Sequence, residues 1–274
     1  MTDCLGRPID YLRISITDRC NLRCIYCMPP EGVPLHTHSD ILSYNEIAAF
    51  AALAVSGGVR KVRITGGEPL VRKGVEQLVA MLSQIDGIND LALTTNGQLL
   101  KEKAPLLKAA GLHRVNVSLD TLDPKRYAQI TRGGAIEQTL AGIRAAQRIG
   151  LNPVKINCVL SQPGQHDALP EQRDAQMEEM RQFAQKEGLQ VRFIHRMSLE
   201  EGHFSIVEGG SGGDCAHCNR LRLTAQGFLM PCLFSDLTFN IRTMGYATAL
   251  EAALQNKPHR GTRNRSGNFY AIGG

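Results

Sequence analysis

No stretch of the 274-residue chain approaches the ~18 consecutive apolar residues that would cross a membrane. The opening MTDCLGRPIDYLRIS has no apolar core ahead of a cleavage site, so neither an anchor nor a secretory leader is expected. Cysteine is too sparse for a disulfide scaffold: there are eight, in a chain large enough to bury a core without staples. Reduced thiols in the cytoplasm are the expectation. An excess of one charge is also nearly absent. The net +5 suits a polyanionic partner but cannot separate a nucleoside triphosphate from RNA. No repeat beyond βα units and no low-complexity tract is present. The basic tail HRGTRNRSGNFYAIGG has few aromatics, with only Phe269 and Tyr270 at its end, which argues against a nucleic-acid module built on Arg260, Arg263 and Arg265.

What is present is a regular alternation of short strands and helices. Strands are predicted at 11–17, 61–67, 91–97, 114–120, 153–160 and 189–197, and several alternate polar with apolar residues, as strands around a polar interior must. Helices are predicted from Ser43, whose spacing to Glu46 makes a capping box, and at 74–84, 101–110, 135–149, 174–187 and 246–255. The pattern predicts an α/β fold, a partial (βα)6 TIM-like barrel with a small C-terminal cluster-binding region. The expected division is a barrel over 1–200, a Gly-rich connector over 201–214 in which GGSGG looks flexible, and a C-terminal region over 215–274.

The chemistry lies in two cysteine triads. CNLRCIYC places Cys20, Cys24 and Cys27 in the loop after the first strand, where a parallel barrel carries its active site. A structural zinc site needs a fourth ligand at a companion spacing, and PPEGVPL supplies none. Three soft thiolates fit a 4Fe-4S cluster with one iron left open; a zinc knuckle or scattered core cysteines is the plainer alternative. Cys215, Cys218 and Cys232 form the second triad, again without a nearby fourth thiolate, although His217 offers a competing zinc ligand. GGEP, TTNG and SLD end strands on the same face as the first triad, and each alone is also an ordinary turn. Arg220 and Arg222 alternate on one strand face and suit phosphate. Arg13, Lys61, Arg63, Lys155 and Arg192 add cations on other strands, and inward placement would require a polyanion.

CNLRCIYC resembles the signature of radical S-adenosylmethionine enzymes, which implies an open iron that binds the methionyl moiety and a 5'-deoxyadenosyl radical that abstracts hydrogen. The whole set is similar to the molybdenum cofactor biosynthesis protein A family, the GTP 3',8-cyclases. It runs through LGRPIDYLRISITDRCNLRCIYCMP, KVRITGGEPLVRK, LALTTNG, RVNVSLDTLD, KINCVL, VRFIHRM, CAHCNRLRLTAQGFLMPCLF and Gly273-Gly274. The resemblance implies two 4Fe-4S clusters, on Cys20, Cys24 and Cys27 and on Cys215, Cys218 and Cys232. It implies S-adenosylmethionine contacts at Tyr26, Gly67, Glu68, Ser118 and Met197, and GTP contacts at Arg13, Arg63, Thr94, Lys155, Arg220 and Arg222. Of the latter, Arg13, Arg220 and Arg222 are also implied to be catalytic. Hydrogen loss from C3' of the ribose and attack on C8 of guanine would give 3',8-cyclo-7,8-dihydro-GTP, for a downstream cyclic pyranopterin monophosphate synthase. An electron donor and a homodimer are also implied, and the Gly-Gly tail is implied to reach the active site.

Two features depart from that family. Only 17 residues separate Met197 from Cys215, where the family carries a much longer segment, and His195 replaces an acid. The competing functional readings are a shortened radical enzyme acting on a peptide or an RNA base, and a non-catalytic metal module.

Overall fold

The computed structural model describes residues 1–160, 170–265 and 269–272. Six parallel strands follow one another in order: β1 (Tyr11–Ser15), β2 (Lys61–Thr65), β3 (Asp90–Thr95), β4 (Arg114–Ser118), β5 (Lys155–Leu160) and β6 (Gln190–His195). Between them run α1 (Tyr44–Ser56), α2 (Val75–Ser83), α3 (Leu100–Ala109), α4 (Pro124–Thr131), α5 (Ile136–Arg148) and α6 (Pro170–Lys186). The predicted capping box closes α1: Ser43 N–H donates to Glu46 at 2.7 Å and Glu46 N–H donates to Ser43 Oγ at 3.2 Å. Helix α4 was not expected from the apolar pattern, and its signal is the Asp123 cap followed by Pro124 at the first position.

The architecture follows from period-two alternation. Leu12, Ile14, Val62, Ile64, Leu91, Leu93, Val115 and Val117 face the helices and share one core with Ile47, Phe50, Leu78, Leu82, Leu107 and Ile143. Each such buried side chain contributes about 1.5–3 kcal/mol of transfer free energy. The alternate positions point the other way and are largely polar. They surround the interior of a curved sheet, so the strands satisfy an apolar outer face and a charged inner face at once.

Two features lie beyond the six-unit expectation. A seventh parallel strand, β7 (Arg220–Leu223), pairs with β1 in the register Tyr11↔Arg220 and Arg13↔Arg222. It continues antiparallel into β8 (Phe228–Met230) and β9 (Phe239–Asn240), then α7 (Ile241–Met244) and α8 (Tyr246–Gln255). The sheet is therefore continuous from the barrel into the C-terminal residues, in the order β6-β5-β4-β3-β2-β1-β7-β8-β9.

The second feature is the path from β6 to β7. Residues near Glu208 pair with β6, Phe193 and Glu208 exchanging backbone hydrogen bonds of 3.0 and 3.1 Å, and Arg181 of α6 holds the Glu208 carboxylate at 2.6 Å. Arg220 of β7 then donates to both the carbonyl and the hydroxyl of Ser211 at 2.8 Å. The GGSGG stretch, largely exposed, is thus tethered by hydrogen bonds between the two outermost parallel strands. Gly209, at φ +74°, leaves a Cβ only 2.7 Å from the Val191 carbonyl, so glycine is required there by both conformation and space. A short strap spans the open side of the barrel in place of a longer segment.

Candidate active site

At the carboxyl ends of the strands, the loop after β1 carries Cys20, Cys24 and Cys27. A tight turn joins the last two, Cys27 N–H donating to the Cys24 carbonyl at 2.9 Å. Turns at the ends of the neighbouring strands lock onto this loop. Glu68 of GGEP is 1% exposed and accepts from Thr95 Oγ1 and Asn96 N–H at 2.7 Å, both in TTNG, and from Leu70 N–H at 3.0 Å. Asn96 in turn donates to Asn21 at 2.8 Å and lies 4.0 Å from Cys20 Sγ. Tyr26 donates to Asp120 of SLD at 2.7 Å. Gly67 stacks its backbone so closely on Arg19 that a side chain would collide with the Arg19 carbonyl. The three motifs that looked like separate turns form one bonded platform beneath the cysteine loop, with Ser118 at the end of β4 beside them.

Burial governs the titration of this platform. It pushes Glu68 up to about 7 against its three hydrogen bonds and Asp120 up to about 6. The Cys27 thiol rises to about 12, again chiefly by burial, and Cys24 rises further with the Asp120 charge adding to the burial effect. Thiols held this high need a bound cation to become ligands, which is the coupling of metal binding to deprotonation.

The second triad lies at the other end of the barrel. Cys218 precedes the start of β7 by two residues, whereas Cys20 follows the end of β1, and β1 and β7 are parallel neighbours. A five-residue strand rises about 17 Å, so the triads cap opposite ends of one interior. At the second triad a cavity of about 350 Å³ opens, lined by Cys215, Cys218 and Cys232 together with Arg13, Arg63, Lys155, Arg192, Arg220, Arg222 and Met197. Arg13 stands between Arg63 and Arg222 in the register of three adjacent strands. Such like-charged rows are destabilising unless something neutralises them. Among the described residues, Asp90 of the lining is bonded to Arg114 at 2.8 and 2.5 Å, with its charge also acting on Lys155 and Arg192, and Asp214 is bonded to His217 at 2.7 Å.

The cations therefore carry each other's repulsion. Burial, reinforced by Arg222, lowers Arg13 to about 9. Burial and the neighbouring guanidiniums also lower Arg63 to about 9 and Arg222 to about 10. Lys155 falls to about 8 through burial and the charges of Arg192 and Arg114. Tyr11 lies under both Arg63 and Arg220, 5.4 and 5.5 Å from the ring centre, a cation–π contact that offsets part of the cost. Arg63 Nε, Arg220 Nε, Tyr11 Oη and Thr94 Oγ1 are nevertheless buried without a hydrogen-bond partner among the described residues. Buried donors left open around a cationic cavity fit a polyanionic, hydrogen-bonding ligand.

The donor sets fit clusters better than a single ion. Among the described residues no three His, Cys, Asp or Glu side chains converge on one ion, as a mononuclear zinc centre would require, whereas a cubane places each thiolate on a different iron. His217 is 85% exposed at its side chain and bonded to Asp214, so it is turned outward to that acid. A Cβ on Gly261 would sit 2.9 Å from Cys232 Sγ, which leaves room for a group at that sulfur only because glycine is there. His195 lies on the face of β6 opposite Arg192 and outside the cavity lining. Residues the motifs missed are Tyr11, Arg114 and Asn116 on the inner face. Strand alternation with Arg13 and Ser118 marks all three. Gly273 and Gly274 lie outside the described residues.

A parallel half-barrel whose first strand leads into a three-cysteine loop, backed by strand-end Glu, Asn and Asp platforms, defines the class of radical S-adenosylmethionine enzymes. The Radical SAM superfamily model matches residues 14–184 and the Molybdenum Cofactor Synthesis C model matches residues 162–270. The S-adenosylmethionine-bound structure of Streptococcus suis SuiB has the same fold, with a TM-score of 0.63 at 16% identity over 92% of this chain and 65% of that one. Curated relatives are nearer in sequence. The GTP 3',8-cyclase of Petrotoga mobilis is 42% identical over 310 positions, covering 94% of each chain, and that of Peptoclostridium acidaminophilum is 41% identical over 86% of this chain and 84% of the relative. The chain belongs to the GTP 3',8-cyclase family, and with that family come a 4Fe-4S cluster and S-adenosylmethionine. The 310-position span exceeds the 274 residues of this chain, so the Petrotoga relative carries residues that this chain lacks, in keeping with the short path from β6 to β7.

Proposed function

We propose that this protein converts GTP to 3',8-cyclo-7,8-dihydro-GTP, the first step of molybdenum cofactor biosynthesis, as a radical S-adenosylmethionine lyase. The observation that carries the reading is the cationic cavity beside the C-terminal cysteine triad, inside a barrel whose other end bears the first triad, on a chain whose curated relatives bear that activity. When bound on Cys20, Cys24 and Cys27, the 4Fe-4S cluster supplies the electron that cleaves S-adenosylmethionine and yields the hydrogen-abstracting radical.

The chain's own residues do the rest. Glu68, immobilised by Thr95, Asn96 and Leu70, presents a fixed carboxylate to the methionyl ammonium, and a cation there favours its ionised form despite burial. Gly67, Tyr26, Ser118 and Met197 contact the remainder of the cofactor. Arg13, Arg63, Lys155, Arg220 and Arg222 neutralise the triphosphate, Thr94 contributes its open hydroxyl, and Arg13, Arg220 and Arg222 hold the nucleotide at the reacting end. Cys215, Cys218 and Cys232 would hold a second 4Fe-4S cluster, whose three-thiolate ligation would leave one iron available to the nucleotide. The strap over residues 205–213 forms one wall of the cavity and is the segment that would shield the reacting groups from water on that side. The barrel over 1–200, the strap and the region over 215–274 act as one enzyme in the cytoplasm, with a reducing electron donor and a partner synthase downstream; a homodimer is the proposed assembly. Among the described residues no helix is long and apolar enough to cross a membrane.

The direct test is anaerobic incubation of the iron-reconstituted protein with GTP, S-adenosylmethionine and dithionite, followed by mass analysis of the nucleotide. A product isomeric with GTP, formed together with 5'-deoxyadenosine, is expected. Unchanged GTP beside abundant 5'-deoxyadenosine would point to another substrate.

A pH dependence follows from Lys155. Its ammonium titrates at about 8 in the ligand-free protein, and a triphosphate, favouring the charged form, raises that value in the complex. GTP binding therefore takes up a proton between the two values. Affinity is expected to be flat below about pH 8 and to weaken above it by up to about tenfold per pH unit. Calorimetry from pH 7 to 9 checks this, and Lys155→Arg is expected to move the decline upward. A flat profile for the unmodified protein would remove Lys155 from the phosphate site.

A further inference from the structure

Lys257, just beyond α8, is 3% exposed and has no role in the reading above. Its ammonium donates to the Arg220 carbonyl at 2.7 Å and the Pro231 carbonyl at 2.5 Å, and the Cys218 and Cys232 thiols are close enough for their charges to act on it. Two of the three donors of the ammonium are thereby used. The bonded groups flank the second triad, since Arg220 lies two residues after Cys218 and Pro231 immediately precedes Cys232. Among the described residues no carboxylate forms an ion pair with Lys257. Arg7, another buried cation nearby, is differently placed. It is paired with Asp3 at 2.6 Å and donates three further hydrogen bonds, to the carbonyls of Cys215, Pro258 and His259. Arg7 thus has its own acid and braces the backbone. Lys257 has only sulfur to answer its charge. A buried, acid-free ammonium is unfavourable unless an anion is present, and the anions within reach are thiolates.

We infer that Lys257 is a positioning residue for an iron-sulfur cluster on Cys215, Cys218 and Cys232, holding a fixed positive charge against its sulfurs and raising its reduction potential. The inference rests on the reading of these cysteines as cluster ligands and extends it to a residue that supplies no ligand atom. Reduction adds one negative charge to a site already made negative by three thiolates, and a nearby cation in a low-dielectric wall favours the more negative state.

The test uses the full chain carrying Cys24→Ala, so that the C-terminal triad is the remaining cluster site. Iron and sulfide are counted after reconstitution, and the midpoint potential is read by EPR-monitored dithionite titration, with and without Lys257→Gln and Lys257→Arg. The expected result is a lower potential in Lys257→Gln, by at least a tenfold change in the reduced-to-oxidised ratio, about 59 mV for one electron, with most of the value restored in Lys257→Arg. An unchanged potential in Lys257→Gln overturns the inference and leaves the cysteine assignment standing. Equal shifts in Gln and Arg also overturn it, because they would mean that only the backbone peg matters. Should Lys257→Gln come without a cluster, Lys257→Arg decides: a retained cluster supports the charge, and an equal loss defeats it. Absence of iron in the Cys24→Ala background itself would overturn the cluster reading, and this inference with it.

Discussion

Cys24→Ala is expected to abolish formation of 5'-deoxyadenosine under anaerobic, reducing conditions and to cut the reconstituted iron content by about one cube, four iron atoms. Three thiolates for a four-iron cube leave no ligand to spare, because the open iron is the one that must stay open. The backbone around Cys24 accounts for its own structure: its carbonyl accepts from the amides of Cys27 and Met28 at 2.9 and 3.0 Å, bonds that alanine keeps. Loss of activity should therefore come with an unchanged melting temperature for the cluster-free protein. Full retention of S-adenosylmethionine cleavage would refute the assignment of this loop.

The second large effect concerns the cationic row. Arg220→Ala/Arg222→Ala is expected to raise the GTP dissociation constant by at least about a hundredfold, since a charged hydrogen bond contributes about 1.5–3 kcal/mol and two are removed. Cleavage of S-adenosylmethionine without GTP should change little, because the two arginines stand near the opposite end of the barrel from Cys20, Cys24 and Cys27. The separation between the two readouts is the informative part. Fold stability should not collapse either: Arg222 is buried beside Arg13 and Arg220, and removing it relieves repulsion as well as contacts. Equal GTP affinity in the double variant would sever these arginines from the substrate, and equal losses in both assays would mean a general defect.

Much of the fold could be read from the chain because it rests on local chemistry. Alternation in KVRIT and RVNVS sets both faces of the sheet, and the Ser43–Glu46 box sets a helix start. Those signals lie within a few residues of each other, so they survive without knowledge of the rest. The same holds for each cysteine triad. In contrast, Arg114 escaped notice because a single arginine at the start of a strand looks like a solvated end until Asp90 from the next strand closes on it. The bond from Glu68 to Thr95 and Asn96 was hidden in the same way: GGEP and TTNG each look like a turn, and only their adjacency turns a glutamate into a clamped carboxylate.

By itself the sequence determined the order of the six βα units, the inward polar faces and the grouping of the cysteines into two triads, because periodicity and spacing encode those directly, and its longer motifs carried the resemblance to the family. Only the tertiary structure decided that β7 joins β1, that the GGSGG strap reaches from β6 to Arg220, that the triads lie toward opposite ends of the barrel, and that Lys257 lies buried beside the second triad. The physical reason is chain separation. Partners far apart in sequence meet only when packing of the apolar outer face brings the strands into register, and no local preference of Arg220, Ser211 or Lys257 specifies the partner in advance.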